Sequence, residues 1–424
     1  MKKQLLIVFT LLLMPNLSFN TLACTGGLAL GLTCAEGNVL LANLDWTVPV
    51  ELDRLTLKLI VPEDKSKFRY LSAQKAAQLL GGTYLNEKGV GTKAFFRVSQ
   101  SLKLPDENLI PTTDEVMTTC GSAKEMIDKL SGMFTKIGST LSSGGLALLI
   151  VDPKDGYLIE ASNYIYNSKL NHAVYGPMKD TVFAQANFYL DKNLRKYQIG
   201  SGAGYSRAQA MWELLIKNQY NDYNLNPIQG SGLVLPYMMD ILKYHDKEVS
   251  MLENERDTSY TVNNNKSINI QGSVEKTYNS VIINPSADYI EYLSTMWLTF
   301  GEPDICPFLP FFIGINEVPK EYSSTVAAEK FNKLRTLLLT NTEHRERIVE
   351  YWKGQEVETI SLYRGIVADA AVMLADKNDK NTDTAVRKKL TDFVNERCAT
   401  ALKTVDEIIK ELESQKILTV SSRL

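Results

Sequence analysis

The sequence predicts an α+β fold in which strands and helices alternate in the front part of the chain and helices alone form the rest. Short apolar runs and alternating apolar and polar residues, separated by turn-forming residues, predict the strands. From about Ser323 onward the pattern is nearly all helical. In the last predicted helix, apolar residues recur every three or four positions, which predicts one buried stripe. The stripe comprises Val386, Leu390, Phe393, Val394, Cys398, Leu402, Val405, Ile409 and Leu412.

Three segments carry the strand prediction. Apolar runs at 28–32 and 39–44, separated by the polar stretch 34–38, predict a hairpin. Segment 54–61 alternates leucines with Arg, Thr and Lys, as a strand with one buried face does. A further hairpin is predicted from 147–151 to 157–159, because Pro153 presets φ in the intervening turn and Gly156 accepts a positive φ.

Two helix starts are visible between the strands. Ser122 and Glu125 have the spacing of a capping box, and apolar residues follow them at helical intervals. A second helix is predicted from Ser206. The segment 257–269 is rich in Asn, Ser and Thr, which predicts an exposed loop.

Charge and histidine content exclude several function classes. The chain of 424 residues has 46 Lys and Arg against 49 Asp and Glu, interspersed, and a formal charge of −3. No basic cluster marks a nucleic-acid partner. The three histidines, His172, His245 and His344, are far apart and lack metal ligands at the spacing of a zinc site, so no metal cofactor is expected.

The N-terminus has the layout of a secretory signal. Lys2 and Lys3 precede an apolar run at 5–14, and a polar stretch then leads to Ala23. The run is shorter than the ~20 apolar residues that span a bilayer. We therefore expect a signal peptide at 1–23 and a soluble mature protein, exported to the periplasm or secreted.

Cleavage after Ala23 makes Cys24 the first residue of the mature chain. Its α-amino group, with a pKa of about 7.7–8.0, can then take the proton of its own thiol, so no histidine is needed. Two other readings stay open, a disulfide and the acylated cysteine of a lipoprotein. The lipoprotein signal usually has Leu where this chain has Thr21.

Five cysteines in an exported chain leave one without an intramolecular partner. If that one is Cys24, the other four form two disulfides in one of three pairings or remain buried thiols. These four are Cys34, Cys120, Cys306 and Cys398. The sequence leaves both alternatives open.

Four segments together resemble the N-terminal-nucleophile hydrolases that cut linear amides, which include choloylglycine hydrolases, penicillin V acylases and dipeptidase A-type cysteine peptidases. The segments are Cys24-Thr25-Gly26 with Asn43-Leu44-Asp45-Trp46, then Asn86-Glu87-Lys88-Gly89, then 181–188 with Asn187, then Ser206-Arg207. The resemblance implies a four-layer αββα sandwich at 24–322 with a helical C-terminal extension at 323–424.

The resemblance also implies a role for each site residue. Cys24 is the nucleophile, and Asp45 holds its amine. The Asn86 main-chain N–H and the Asn187 side chain stabilise the oxyanion. Arg207 lowers the pKa of the thiol. No organic cofactor is implied.

The substrate class is less closely defined. Many members of the superfamily have Arg where this chain has Ala42, which weakens assignment to the bile-salt branch. The segments 296–303 and 307–312, rich in Pro and aromatic residues, resemble dipeptidase A-type enzymes. We therefore expect a short peptide substrate, with non-peptide amides (N-acyl amino acids, bile-salt conjugates or penicillins) as the alternative. A lipid-anchored binding protein is the rival outside enzymes. The sequence does not set the oligomeric state.

Overall fold

The computed structural model has an α+β architecture of two antiparallel sheets with helices outside them. It describes residues 23–45, 55–75, 82–97, 110–137, 145–162, 172–186, 188–195, 205–217, 233–244, 277–339, 341–376 and 381–421. The predicted loop at 257–269 and the predicted site residue Asn187 lie outside these ranges.

Within the described residues there are thirteen strands. They are β1 (Ala23–Ala29), β2 (Val39–Asp45), β3 (Leu55–Ile60), β4 (Tyr70–Lys75), β5 (Thr83–Asn86), β6 (Gly91–Arg97), β7 (Gly145–Val151), β8 (Gly156–Ser162), β9 (His172–Met178), β10 (Val182–Gln185), β11 (Thr277–Asn284), β12 (Thr295–Leu298) and β13 (Leu309–Phe312). The front sheet has the order β10-β1-β2-β11-β12-β13, and the back sheet is the meander β3 to β9.

The same residues form ten α-helices. They are α1 (Ile110–Thr119), α2 (Ala123–Ile137), α3 (Lys192–Arg195), α4 (Tyr205–Lys217), α5 (Leu235–Lys243), α6 (Ile290–Leu293), α7 (Lys320–Ser323), α8 (Val326–Leu338), α9 (Thr342–Ala375) and α10 (Thr382–Ser421). None of these helices combines the length and apolarity needed to cross a bilayer.

The strand predictions are confirmed. The first predicted hairpin is β1 and β2, joined through a short 3₁₀ turn at Gly31–Thr33, with every residue of β1 paired to β2. The alternating segment is β3, and the later hairpin is β7 and β8. Gly156 does not have the positive φ predicted for it. It is instead required for packing space, because Leu28 and Leu30 lie where its side chain would be.

Small residues let the two sheets approach each other closely. A Cβ on Gly26 of β1 would lie 2.4 Å from the ring of Phe95 on β6, and one on Gly156 of β8 would lie 2.6 Å from Leu30. Even-numbered residues of β1 therefore face the back sheet. Along β1 the chain runs from the level of Phe95 towards the β7–β8 turn.

Helices cover the outer face of each sheet. On the front sheet, Met211 and Leu215 of α4 pack against Gly27 of β1. On the back sheet, α1 and α2 form a second core with strand residues, in which Met126 lies with Ile159. The order of layers is helix, sheet, sheet, helix, as the resemblance implies.

The predicted helix starts are confirmed at α2 and α4, with one difference in the cap. The Ser122 hydroxyl accepts a hydrogen bond from the Glu125 N–H at 3.2 Å. The Glu125 carboxylate accepts from the Gly121 N–H at 2.7 Å, one residue before the position that a capping box predicts.

The C-terminal helices share the core of the sandwich. Tyr363 of α9 stacks on Phe312 at 5.2 Å between ring centroids and meets Trp297 edge-on at 4.9 Å. All nine residues of the predicted stripe on α10 are buried in the same cluster. The helical extension therefore completes the hydrophobic core.

Candidate active site

Cys24 lies near the start of β1, at one end of the front sheet. Its backbone pairs with Leu44 of β2, and its side chain is completely buried. It shares the side of β1 on which Gly26 contacts Phe95, so it faces the space between the two sheets. We call this end of the sandwich the Cys24 end.

Asp45 lies one position from Cys24 across the β1–β2 ladder. Its backbone pairs with Ala23 on one side and with Thr277 of β11 on the other. Directly opposed residues in an antiparallel pair have Cα atoms roughly 5 Å apart. The structure thus brings the Asp45 backbone beside the peptide bond whose cleavage would expose the Cys24 amine.

Asn43, the first residue of the predicted Asn-x-Asp motif, ties the front sheet to its helices. The Ser280 hydroxyl donates to its side-chain oxygen at 2.6 Å, and its Nδ2 donates to the Leu242 carbonyl at 2.9 Å. Asn43 pairs with Thr25 of β1. The motif therefore fixes the end of α5 beside the strand that carries Cys24.

Arg207 lies in the first turn of α4 and is 2 % exposed. The next residue, Ala208, packs against Ala186 and Phe188, which follow β10. Since Gln185, the last residue of β10, pairs with Gly26, this contact places the start of α4 at the Cys24 end. Arg207 is thus a buried cation at the Cys24 end, in the helical layer on the outer face of the front sheet, whereas the Cys24 side chain faces the back sheet.

Two residues that the sequence analysis did not assign to the site lie at the same end. Gln185 of β10 donates through Nε2 to Glu160 of β8 at 3.1 Å and to the Phe188 carbonyl at 2.7 Å. Glu160 is fully buried between the sheets. Glu160 could have been identified from the sequence, because it is a charged residue within the apolar strand 157–161 and charged residues are rare at core positions.

Asn86 has its hydrogen-bonding groups engaged within its own turn. Its main-chain N–H donates to the Val90 carbonyl at 3.0 Å, and Oδ1 accepts from the N–H groups of Lys88 and Val90. Its Nδ2 donates at 2.9 Å to the carbonyls of Met117 and Cys120 at the end of α1. Asn86 therefore caps a helix and closes a turn.

The structure does not bring Asn86 and Cys24 together, which corrects the oxyanion role predicted for the Asn86 N–H. Val90, its hydrogen-bond partner, lies five residues before Phe95, and Phe95 contacts Gly26. At about 3.3 Å per residue, this separates Asn86 from the level of Gly26 by roughly 17 Å. Cys24 lies further still in the opposite direction. The part of the back sheet level with Cys24 is the end of β6.

The remaining four cysteines are buried thiols, so the thiol alternative describes them. Burial raises the pKa of Cys34 to about 12. It also raises the pKa of Cys120, and it raises those of Cys306 and Cys398 well above their usual value. None of these four thiols is primed for attack, because the thiolate is the reactive form. In the described ranges no group of three or more His, Cys, Asp or Glu could hold a metal ion.

No family model matches this sequence, and no curated protein matches it. Among solved structures, one similar to it is the Caenorhabditis elegans N-acylethanolamine-hydrolyzing acid amidase (NAAA) ortholog. The two sequences are 16% identical, the match covers 63% of this chain and 97% of that chain, and the TM-score is 0.36. At that score the likeness assigns no function.

Proposed function

We propose that the chain is an exported cysteine hydrolase that cleaves amide bonds of short peptides through an acyl-thioester on Cys24. The observation that carries the proposal is the position of Cys24. It lies at the end of a β-strand within a four-layer αββα sandwich, one ladder position from Asp45, with the buried Arg207 in the adjoining helix. Loss of residues 1–23 gives this thiol its own α-amine as a base.

The proposed reaction has two steps. In the first, the α-amine takes the thiol proton, the sulfur of Cys24 attacks the amide carbonyl, and the amine then returns the proton to the leaving nitrogen. In the second, the amine takes a proton from water as the water oxygen attacks the thioester, the C–S bond breaks, and the amine returns that proton to the sulfur of Cys24 as the acid is released. A donor at Asn187 stabilises the oxyanion in both steps.

A short peptide is the proposed substrate, on the resemblance of segments 296–303 and 307–312 to dipeptidase A-type enzymes. The structure gives these segments a packing role, since β12 and β13 are buried throughout. Ala42, in place of the Arg that many relatives carry, favours a substrate other than bile salts. Non-peptide amides are the second candidate.

The test is a panel of dipeptides and acyl amides assayed with the exported protein and with Cys24→Ala. We expect dipeptide hydrolysis, abolished in a folded Cys24→Ala protein. Cys34→Ala is the matched control, because Cys34 is an equally buried thiol whose pKa of about 12 keeps it protonated. It should retain activity.

The outcomes separate the candidates. Hydrolysis of acyl amides alone would replace the peptide substrate by the second candidate. Full activity in Cys24→Ala would refute the nucleophile. A diacylglyceryl group on Cys24 would instead establish a lipid-anchored protein.

A further inference from the structure

Glu160 is a buried carboxylate whose hydrogen bonds converge on one short stretch of backbone. Both of its oxygens accept from the Leu190 N–H at 3.0 Å, and Oε2 also accepts from the Asp191 N–H at 3.1 Å. Its Oε1 accepts from the Gln185 amide. Burying a carboxylate is costly unless such bonds compensate it, and bonds to a charged acceptor are stronger than neutral ones. The hydrogen bonds to Glu160 therefore fix the backbone at Leu190 and Asp191.

Gln185 holds the other side of the same stretch. Its Nε2 bridges Glu160 and the Phe188 carbonyl. Asp191 then caps α3, accepting from the N–H groups of Asn193 and Leu194 at 2.8 and 3.0 Å. Between β10 and α3, Gln185 thus holds the Phe188 carbonyl, and Glu160 holds the N–H groups of Leu190 and Asp191. We call this set of contacts the Glu160–Gln185 clasp.

This clasped connection begins beside the predicted nucleophile. Gln185 pairs with Gly26, two residues from Cys24, and Asn187 is the second residue after Gln185 in the chain. An oxyanion donor works only when it is held in place before the reaction, and a displacement of 1 Å costs about 10²-fold in rate. Whatever fixes the backbone on either side of Asn187 therefore affects the rate.

We infer that Glu160 is a positioning residue for the reaction, which acts by fixing the described backbone that precedes and follows Asn187 in the chain, at Gln185 on one side and at Phe188, Leu190 and Asp191 on the other. This inference rests on the proposed function. Glu160 lies on the back sheet and Cys24 on the front sheet, so the clasp also joins the two sheets next to the site.

The experiment compares Glu160→Gln, Asn187→Ala and the double variant on the cleaved substrate. Gln keeps the size of the side chain but lacks the second acceptor oxygen and the charge. We expect kcat to fall about 10–100-fold with little change in KM. Asn187→Ala should cost about 10²–10³-fold. The double variant should be no slower than Asn187→Ala alone, because Glu160 acts through that residue.

Three controls keep the result specific. Alkylation of Cys24 by iodoacetamide should be unchanged in Glu160→Gln, because the nucleophile itself is intact. Asp152→Asn alters a buried carboxylate that orders a turn at the far end of the sandwich, and it should leave kcat unchanged. Should Glu160→Gln fail to fold, Gln185→Leu removes the other half of the clasp and should show the same kinetic signature.

Unchanged kcat in Glu160→Gln, or losses that add up in the double variant, would overturn the inference. Either result leaves the proposed function standing as long as Cys24→Ala is inactive. Activity in Cys24→Ala would instead remove the proposed function itself.

Discussion

At the scale of single residues, the proposed reaction depends on ionising one thiol among five. Four thiols are kept protonated by burial, with a pKa of about 12 at Cys34. The role proposed for Arg207, a buried cation in the first turn of the helix that packs on β1, is to favour ionisation of Cys24. A nearby cation favours the thiolate and lowers the pH at which a cysteine reacts.

Arg207 provides the prediction at this scale. In Arg207→Ala the thiol pKa should rise, so the pH at which kcat/KM reaches half of its maximum should move upward. Arg207→Lys keeps the charge and should shift the profile less. The measurement is the pH dependence of kcat/KM and of Cys24 alkylation in both variants. An unshifted profile in folded Arg207→Ala would contradict the charge role.

At the scale of elements, one turn joins three parts of the sandwich at the end opposite Cys24. Asp152, at the β7–β8 turn, accepts from the Ala123 N–H of α2 at 2.7 Å and from the N–H groups of Lys154 and Asp155 at 2.7 and 2.8 Å. Its own carbonyl accepts from Asn38 in the β1–β2 connection at 2.9 Å. The carboxylate is nearly inaccessible to solvent.

Asp152→Asn tests whether this end of the sandwich contributes to the stability of the fold and not to the reaction. The substituted side chain has one oxygen and one NH₂ group. The backbone N–H groups that face the NH₂ group, either that of Ala123 or those of Lys154 and Asp155, then lack an acceptor. We expect a loss of about 1–3 kcal/mol in the free energy of unfolding, measured by urea denaturation. Since the turn is far from Cys24, kcat/KM should be unchanged. A large kinetic effect without loss of stability would show that the site extends to this end.

The strands and helices were predictable because their patterns are local. The alternation at 54–61 and the stripe on α10 each need only neighbouring residues to be recognised. The Asn86 turn is also local, since Gly89 has a φ of +74° and the Asn86 side chain bonds within it. The position of the Asn86 turn relative to Cys24 is not encoded by neighbouring residues. It depends on how the sheets pack, as at Gly26 and Phe95, which no single segment encodes.

At the scale of the whole molecule, the two ends of the sandwich differ in the role of the residues they carry. One end holds the turns that order the fold, around Asp152 and Asn86. The other holds Cys24, the Asp45 backbone, the start of α4 and the Glu160–Gln185 clasp. The C-terminal helices complete the core beside both sheets. The sequence could predict roles for Cys24 and Arg207, whereas the contact between Glu160 and Gln185, which lie in different sheets, needed the fold.

The central claim is that Cys24 becomes an N-terminal nucleophile. It is tested most directly by mass spectrometry of the N-terminal peptide of the exported protein after brief exposure of the folded protein to iodoacetamide. We predict a chain that begins at Cys24, with an unmodified α-amine and one carbamidomethyl group on that thiol. The other four thiols, whose pKa values are raised by burial, should stay unlabelled. A mature chain that retains residues before Cys24, or a lipid on its sulfur, would contradict the account.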